Sequence, residues 1–157
     1  VESLFKLKIG KWLMRVYLDN CMFNRPFDNQ TQIRIRLESE AKLYIQDEIK
    51  SQSIALIWSY ILELENAHNP HDERRIAIQK WKNISTIKIL EAPEILANAN
   101  YLLKFGIKPK DALHVASAVA GKAAYFLTTD DKLLSGVKRS NIIEVLNPVD
   151  YIKVLEK

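Results

Sequence analysis

The sequence predicts an α/β fold, a three-layer α/β/α sandwich around a parallel sheet of about four or five strands. Three observations carry this. Short apolar and β-branched runs alternate with stretches of helical periodicity along the chain, the pattern of successive strand-helix units. Ser53 to Trp58 is apolar almost without interruption, as expected of a strand covered on both faces. Gly106 to Leu134, GIKPKDALHVASAVAGKAAYFLTTDDKLL, reads as a turn, a small-residue helix that is apolar nearly all round, and a strand ending in acid.

Composition narrows the classes. With 157 residues and 48% hydrophobic content, one domain can bury a core without staples. A single cysteine, Cys21, excludes an internal disulfide framework and fits a reducing, cytoplasmic setting. No apolar run approaches the roughly 20 residues of a membrane span. A net charge of +4 permits a polyanionic partner without establishing one. Residues 1–13 mix basic and apolar side chains, and Lys6, Lys8 and Lys11 interrupt any signal-peptide core. They read as upstream or vector-derived sequence, or as an extra amphipathic turn, which leaves 14–157 as the single domain.

In order along the chain, Arg15 to Leu18 is a short strand stopping at Asp19 and Asn20. Cys21 to Asn29 holds Asn24, Arg25, Pro26 and Asp28, turn formers that predict a loop. Ile33, Leu37, Ala41, Tyr44, Ile45 and Ile49 recur at helical spacing and predict a helix over 31–50 with that stripe on the sheet. Ser59 is a candidate N-cap for a helix from Tyr60 to His68. Asn69 and Pro70 break the chain before a basic amphipathic helix, Asp72 to Asn83, and a strand from Thr86 to Leu90. Pro93 opens a helix that runs to Gly106. After the central stretch come a short helix from Asp131, a strand from Ile142 to Leu146, and a closing helix from Pro148 to Leu155.

That topology makes a statement about the acids. Asp19, Glu65 and Asp130 each lie at or beyond the carboxyl end of a different strand, and Asp111 begins a buried helix. In a parallel sheet these ends share one edge, so carboxylates distant in sequence converge. Clustered carboxylates repel, and one holds its proton unless a cation sits among them. Magnesium or manganese suits an all-oxygen set, and the lack of a matching cysteine or histidine group argues against zinc. On its helix Glu65 falls on the side of Ile61 and Leu62, where an acid needs a reason. Glu63, offset from that face, is the reserve. Blander roles stand beside these: Asp19 as a turn residue, Asp111 as an acid favoured by the helix dipole, Asp130 as a cap, and His114 as a buried, hydrogen-bonded histidine.

On the segments VYLDNCMFNRPFD, SYILELENAHNP, DALHVASA and FLTTDD the chain resembles the PIN-domain ribonuclease family, in particular the prokaryotic VapC-like toxins. The resemblance implies Asp19, Glu65, Asp111 and Asp130 as catalytic metal ligands for one or two ions. Asn20, Glu63, His114, Thr128 and Asp131 would support them. It implies hydrolysis of RNA phosphodiester bonds, a small antitoxin as partner, and a homodimer. Arg25, Lys110 and Lys132, near the acid edge, are candidates for the RNA backbone. Phe23 and Phe27 are candidates for stacking on a base. The alternative is a catalytically weak PIN fold that binds RNA or protein.

Overall fold

The computed structural model describes residues 13–156. The reading of residues 1–13 as a separate leader therefore falls, apart from Leu13, outside the described residues. Five strands, β1 (Met14–Leu18), β2 (Ile54–Ser59), β3 (Ile87–Ile89), β4 (Tyr125–Leu127) and β5 (Val145–Leu146), form one parallel sheet in the order β3-β2-β1-β4-β5. Helices flank it: α1 (Asn20–Asn24), α2 (Ile33–Lys50), α3 (Tyr60–Ala67), α4 (Asp72–Ile84), α5 (Pro93–Leu102), α6 (Pro109–Ala120), α7 (Asp131–Ser140) and α8 (Pro148–Leu155). The expected α/β/α sandwich is the observed architecture.

Burial explains the strand order. Every residue of β2 is buried, and Val16, Tyr17 and Leu18 of β1 are fully so, which puts these two strands at the centre. The edge strands β3 and β5 are only three and two residues long, short edges being a common protection against pairing with other chains. The chain lays β2 and β3 to one side of β1, then crosses back to place β4 and β5 on the other. The order reverses between β1 and β4, and crevices at such switch points are where open α/β sheets bind ligands.

Three local expectations are corrected. The segment after Asp19 is helical, α1 followed by a 3-10 turn at Arg25–Phe27, because Asp19 caps it and Met22 and Phe23 are pulled into the core. Phe23 is thus fully buried against Trp58, with ring centroids 5.8 Å apart, and is out of reach of a base. On α2 only Ala41, Ile45 and Ile49 of the expected stripe are buried; Ile33, Leu37 and Tyr44 are exposed. The covered face carries Glu38, Ser39, Lys42 and Gln46 instead. These polar groups are affordable there because they have partners. Glu38 pairs with Arg25 and Arg34, at 3.3 and 3.2 Å, and accepts from Asn147; Ser39 donates to the Arg25 carbonyl. The Lys42 ammonium lies over the rings of Phe23 and Trp81, and burial, then Lys50, pulls its pKa down to about 7.

Gly106 ends the 3-10 turn Leu103–Phe105 with φ +76° and redirects the chain into α6, which carries Asp111. Nothing lies within 4 Å of the place a Cβ would take, so only backbone conformation resists substitution. Gly106→Ala is expected to cost about 1 kcal/mol, read as a fall of roughly 2–4 °C in Tm by thermal denaturation. An unchanged Tm would show that the turn has no need of a left-handed residue.

Candidate functional site

The carboxyl edge of the sheet gathers the acids around the switch point. Asp19 follows β1 and is the N-cap of α1, with the Asn20 backbone N–H donating to its Oδ1 at 2.8 Å. Its Oδ2 accepts from the Thr128 hydroxyl at 2.9 Å and from the Cys21 thiol at 3.3 Å. Thr128 in turn accepts from the Asp130 backbone N–H at 3.1 Å, so one buried hydroxyl ties the loop after β1 to the loop after β4. Asp130 caps α7 through Oδ1, which takes the Lys132 and Leu133 N–H groups. The capping role and a place on the acid edge coexist. Burial, then the nearby Asp19 charge, pushes the Cys21 thiol far up, so it stays a neutral donor.

Glu65 arrives from α3, whose start is fixed by Ser59 accepting from the Leu62 N–H at 3.2 Å. Its Oε1 lies 2.6 Å from His114 Nε2 on α6. Burial raises the Glu65 pKa, but the His114 contact, with Lys110 and Asn20, outweighs this and holds the carboxylate below its ordinary range. Glu63 points elsewhere. It accepts from Trp58 Nε1 at 2.9 Å and Gln79 at 3.1 Å and pairs with Lys82 at 3.4 Å, which together outweigh partial burial and keep it ionised as a tie between β2, α3 and α4. Of the two glutamates, Glu65 is the one brought to the acid edge.

Asp111 sits in the first turn of α6, one turn before His114, half-buried. Its pKa is pushed up to about 6 by burial first, then by the charges of Asp19, Asp130 and Glu65, with His114 opposing. Asp111 therefore senses the charges of the other three acids. Asp111 and Asp130 line one small cavity with Lys132. Asn20, Glu65 and Lys110 open a larger cleft of about 380 Å3, which runs to His68, His71 and Arg74. Among the described residues no three acid, histidine or cysteine side chains close into a ready-made metal cage. The donors at this edge are carboxylate oxygens, the type hard divalent cations take, and such ions are often held by one or two carboxylates with water and substrate completing the shell.

The supporting residues divide. Asn20 and Thr128 lie among the acids, and His114 holds Glu65. Asp131 does not join them; its carboxylate forms a two-pronged pair with Arg34 at 2.7 Å, which lowers its pKa. Arg25 is committed inside the protein, pairing with Glu38 and Asp28 and donating to Thr129 at 2.8 Å. Lys110 and Lys132 remain exposed at the edge. Sequence reasoning missed Tyr17, whose hydroxyl reaches His114 from the buried side and is itself bonded to Ser59, and the buried Glu38. No sequence signal marks a strand tyrosine as polar-facing, because its alternation reads as core.

No family model matches the sequence, and no curated protein is similar to it by sequence. Among solved structures, the fold is similar to that of a chain in the crystal structure of VapBC2 from Rickettsia felis bound to a DNA fragment from their promoter. The match covers 85% of this chain and 98% of the other, with a TM-score of 0.54 and 16% identity. The two share a fold. Among the described residues no helix is long and apolar enough to cross a membrane.

The raised Asp111 pKa has a consequence for stability. A carboxyl that keeps its proton to about pH 6 when folded, against an ordinary value of 3.8, favours the folded state at low pH and loses that contribution as pH rises through 6. Asp111→Asn is expected to raise the Tm of the metal-free protein at pH 8 by roughly 2–4 °C, about 1 kcal/mol once solvent screening is allowed for. It should change little at pH 4.5. Equal shifts at both pH values would contradict the crowding of charge.

Proposed function

We propose that the chain is a divalent-cation-dependent endoribonuclease of the PIN class, acting as the toxin-like member of a pair with a small antitoxin. What supports this reading is that Asp19, Glu65 and Asp130 lie near enough to Asp111, at the carboxyl edge of a parallel sheet, for their charges to raise its pKa. The likeness in fold to a chain of the VapBC2 structure supports it, as does the concentration of negative charge where a polyanion must be handled, which serves no purpose without a cation.

In this reading Asp19, Glu65, Asp111 and Asp130 hold one or two magnesium or manganese ions. When bound, such an ion lowers the pKa of a coordinated water and offsets the charge on a phosphodiester during in-line displacement. The protein's own groups do the rest. Thr128 and the Asn20 N–H fix both oxygens of Asp19, and His114 fixes one oxygen of Glu65. Asp111, its pKa raised to about 6 by burial and then by its acid neighbours, is the acid whose charge a bound cation would relieve most. Lys110, Lys132 and Arg74 flank the edge and the adjoining cleft and suit RNA phosphates, contacts that position a strand without reading its sequence. The absence of a closed three-ligand cage among the described residues favours the second reading, a PIN fold that binds RNA or protein with little cleavage.

Cleavage of a mixed RNA pool separates the two. With manganese or magnesium, products are expected to accumulate, and chelator, Asp19→Asn or Glu65→Gln should each reduce the rate about 100-fold or more. Glu63→Gln should leave the rate of the folded protein within about threefold, because its partners are structural. Chelator-insensitive cutting, or a larger loss in the Glu63 variant than in the Glu65 variant, would overturn the assignment.

A further inference from the structure

We propose that Tyr17 and Ser59 are positioning residues for Glu65, acting through His114 by holding its ring so that the Nε2 proton is aimed at Glu65. The inference rests on the reading of Glu65 as a metal ligand. Ser59 Oγ lies 2.6 Å from Tyr17 Oη, Tyr17 Oη lies 2.6 Å from His114 Nδ1, and His114 Nε2 lies 2.6 Å from Glu65 Oε1. Tyr17 and His114 are fully buried and Ser59 is 1% exposed, so solvent does not compete for these bonds.

The direction of the chain follows from its last member. A carboxylate only accepts, so the imidazole N–H stands on Nε2, aimed at Glu65 Oε1. In the neutral imidazole Nδ1 then accepts from Tyr17, and Tyr17 from Ser59, whose Oγ also takes the Leu62 N–H at 3.2 Å. The reverse orientation would put a lone pair on Nε2 against a carboxylate oxygen, two acceptors at 2.6 Å. Tyr17 is itself held by stacking on Phe126, with centroids 5.4 Å apart and planes 13° from parallel, and it meets His114 edge-on at 5.8 Å.

Strands β1 and β2 thereby determine from inside the core how a carboxylate of α3 is presented at the surface. One oxygen of Glu65, Oε1, is occupied by a fixed donor. Groups in this relation to a metal ligand are worth about 10–100-fold in metal affinity. Tyr17 and Ser59 are both buried, and the Tyr17 hydroxyl reaches the site through His114, whereas Ser59 also caps the helix that carries Glu65.

The test pairs a manganese titration, read by the electron paramagnetic resonance of free Mn2+, with the 15N imidazole spectrum of the full chain. Wild-type His114 is expected to show a protonated Nε2 and a bare Nδ1. Tyr17→Phe removes one oxygen and keeps the stack on Phe126; it should weaken manganese binding about tenfold and shift the His114 Nδ1 resonance as that nitrogen loses its donor. Wild-type protein with the proton on Nδ1 overturns the proposal, and this result needs no variant to fold. An unchanged manganese titration in folded Tyr17→Phe overturns it as well. Wild-type protein that takes up no manganese overturns instead the metal reading on which the positioning role rests, and the two failures are thus distinct.

Discussion

The constraint on which the rest of this structure depends is the mutual repulsion of four carboxylates at one end of a parallel sheet. Left to themselves, like charges in a half-buried crevice separate or protonate, and the Asp111 pKa is raised to about 6 by burial and then by its acid neighbours. What keeps the others in place is a set of donors, each supplied by a different element. Thr128 comes from the loop after β4, the Asn20 N–H from the start of α1, and His114 from α6. The fold brings the acids together and the donors hold them there. This arrangement costs stability in the absence of a counter-charge, a pattern in which strain at one edge is offset by a well-packed core elsewhere.

A second charged network holds the loops that carry the acids. Glu38, 1% exposed, receives Arg25, Arg34 and Asn147. Arg25 continues to Thr129, and Arg34 to Asp131 and the Thr129 carbonyl. The segment after β1, the helix α2, the start of α7 and the start of α8 are thus moored to one buried carboxylate. Removing a single partner would leave an uncompensated charge, which is why such networks are costly to break even where they contribute little net stability. Arg25 and Arg34 are engaged by carboxylates in this network, while Lys110 and Lys132 are exposed at the acid edge and Arg74 lines the adjoining cleft. Arg74 is itself partly engaged, donating to the Phe27 carbonyl at 2.7 Å while its guanidinium covers the Phe27 ring.

Much of this was legible in the sequence, for identifiable reasons. Period-two and period-3.6 patterns located the strands and most helices, because burial on a sheet imposes them directly. The order of strands fixed the edge on which Asp19, Glu65 and Asp130 would fall, and the helical offset between Glu63 and Glu65 separated the acid that faces the site from the one that faces α4. What stayed hidden were features decided by tertiary partners. Polar residues on the covered face of α2 look solvent-exposed until Glu38 is seen with its arginines. The loop read from Asn24, Pro26 and Asp28 is helical because Asp19 caps it and Phe23 needs the core. Asp131 adjoins a site acid in sequence, yet Arg34, 97 positions away, claims it. Tyr17 reads as core, and it is, but its hydroxyl lies at the centre of a polar chain that alternation cannot reveal.

The central claim, that the four acids at this edge take a divalent cation in common, is tested most directly by crystals of the protein soaked in manganese and measured for anomalous scattering. The account expects a peak bounded by oxygens of Asp19, Asp111 and Asp130, with Glu65 in reach on the side of His114. No peak at that edge at full manganese occupancy elsewhere in the crystal, or a peak bound by Glu63 and not by Glu65, would contradict it.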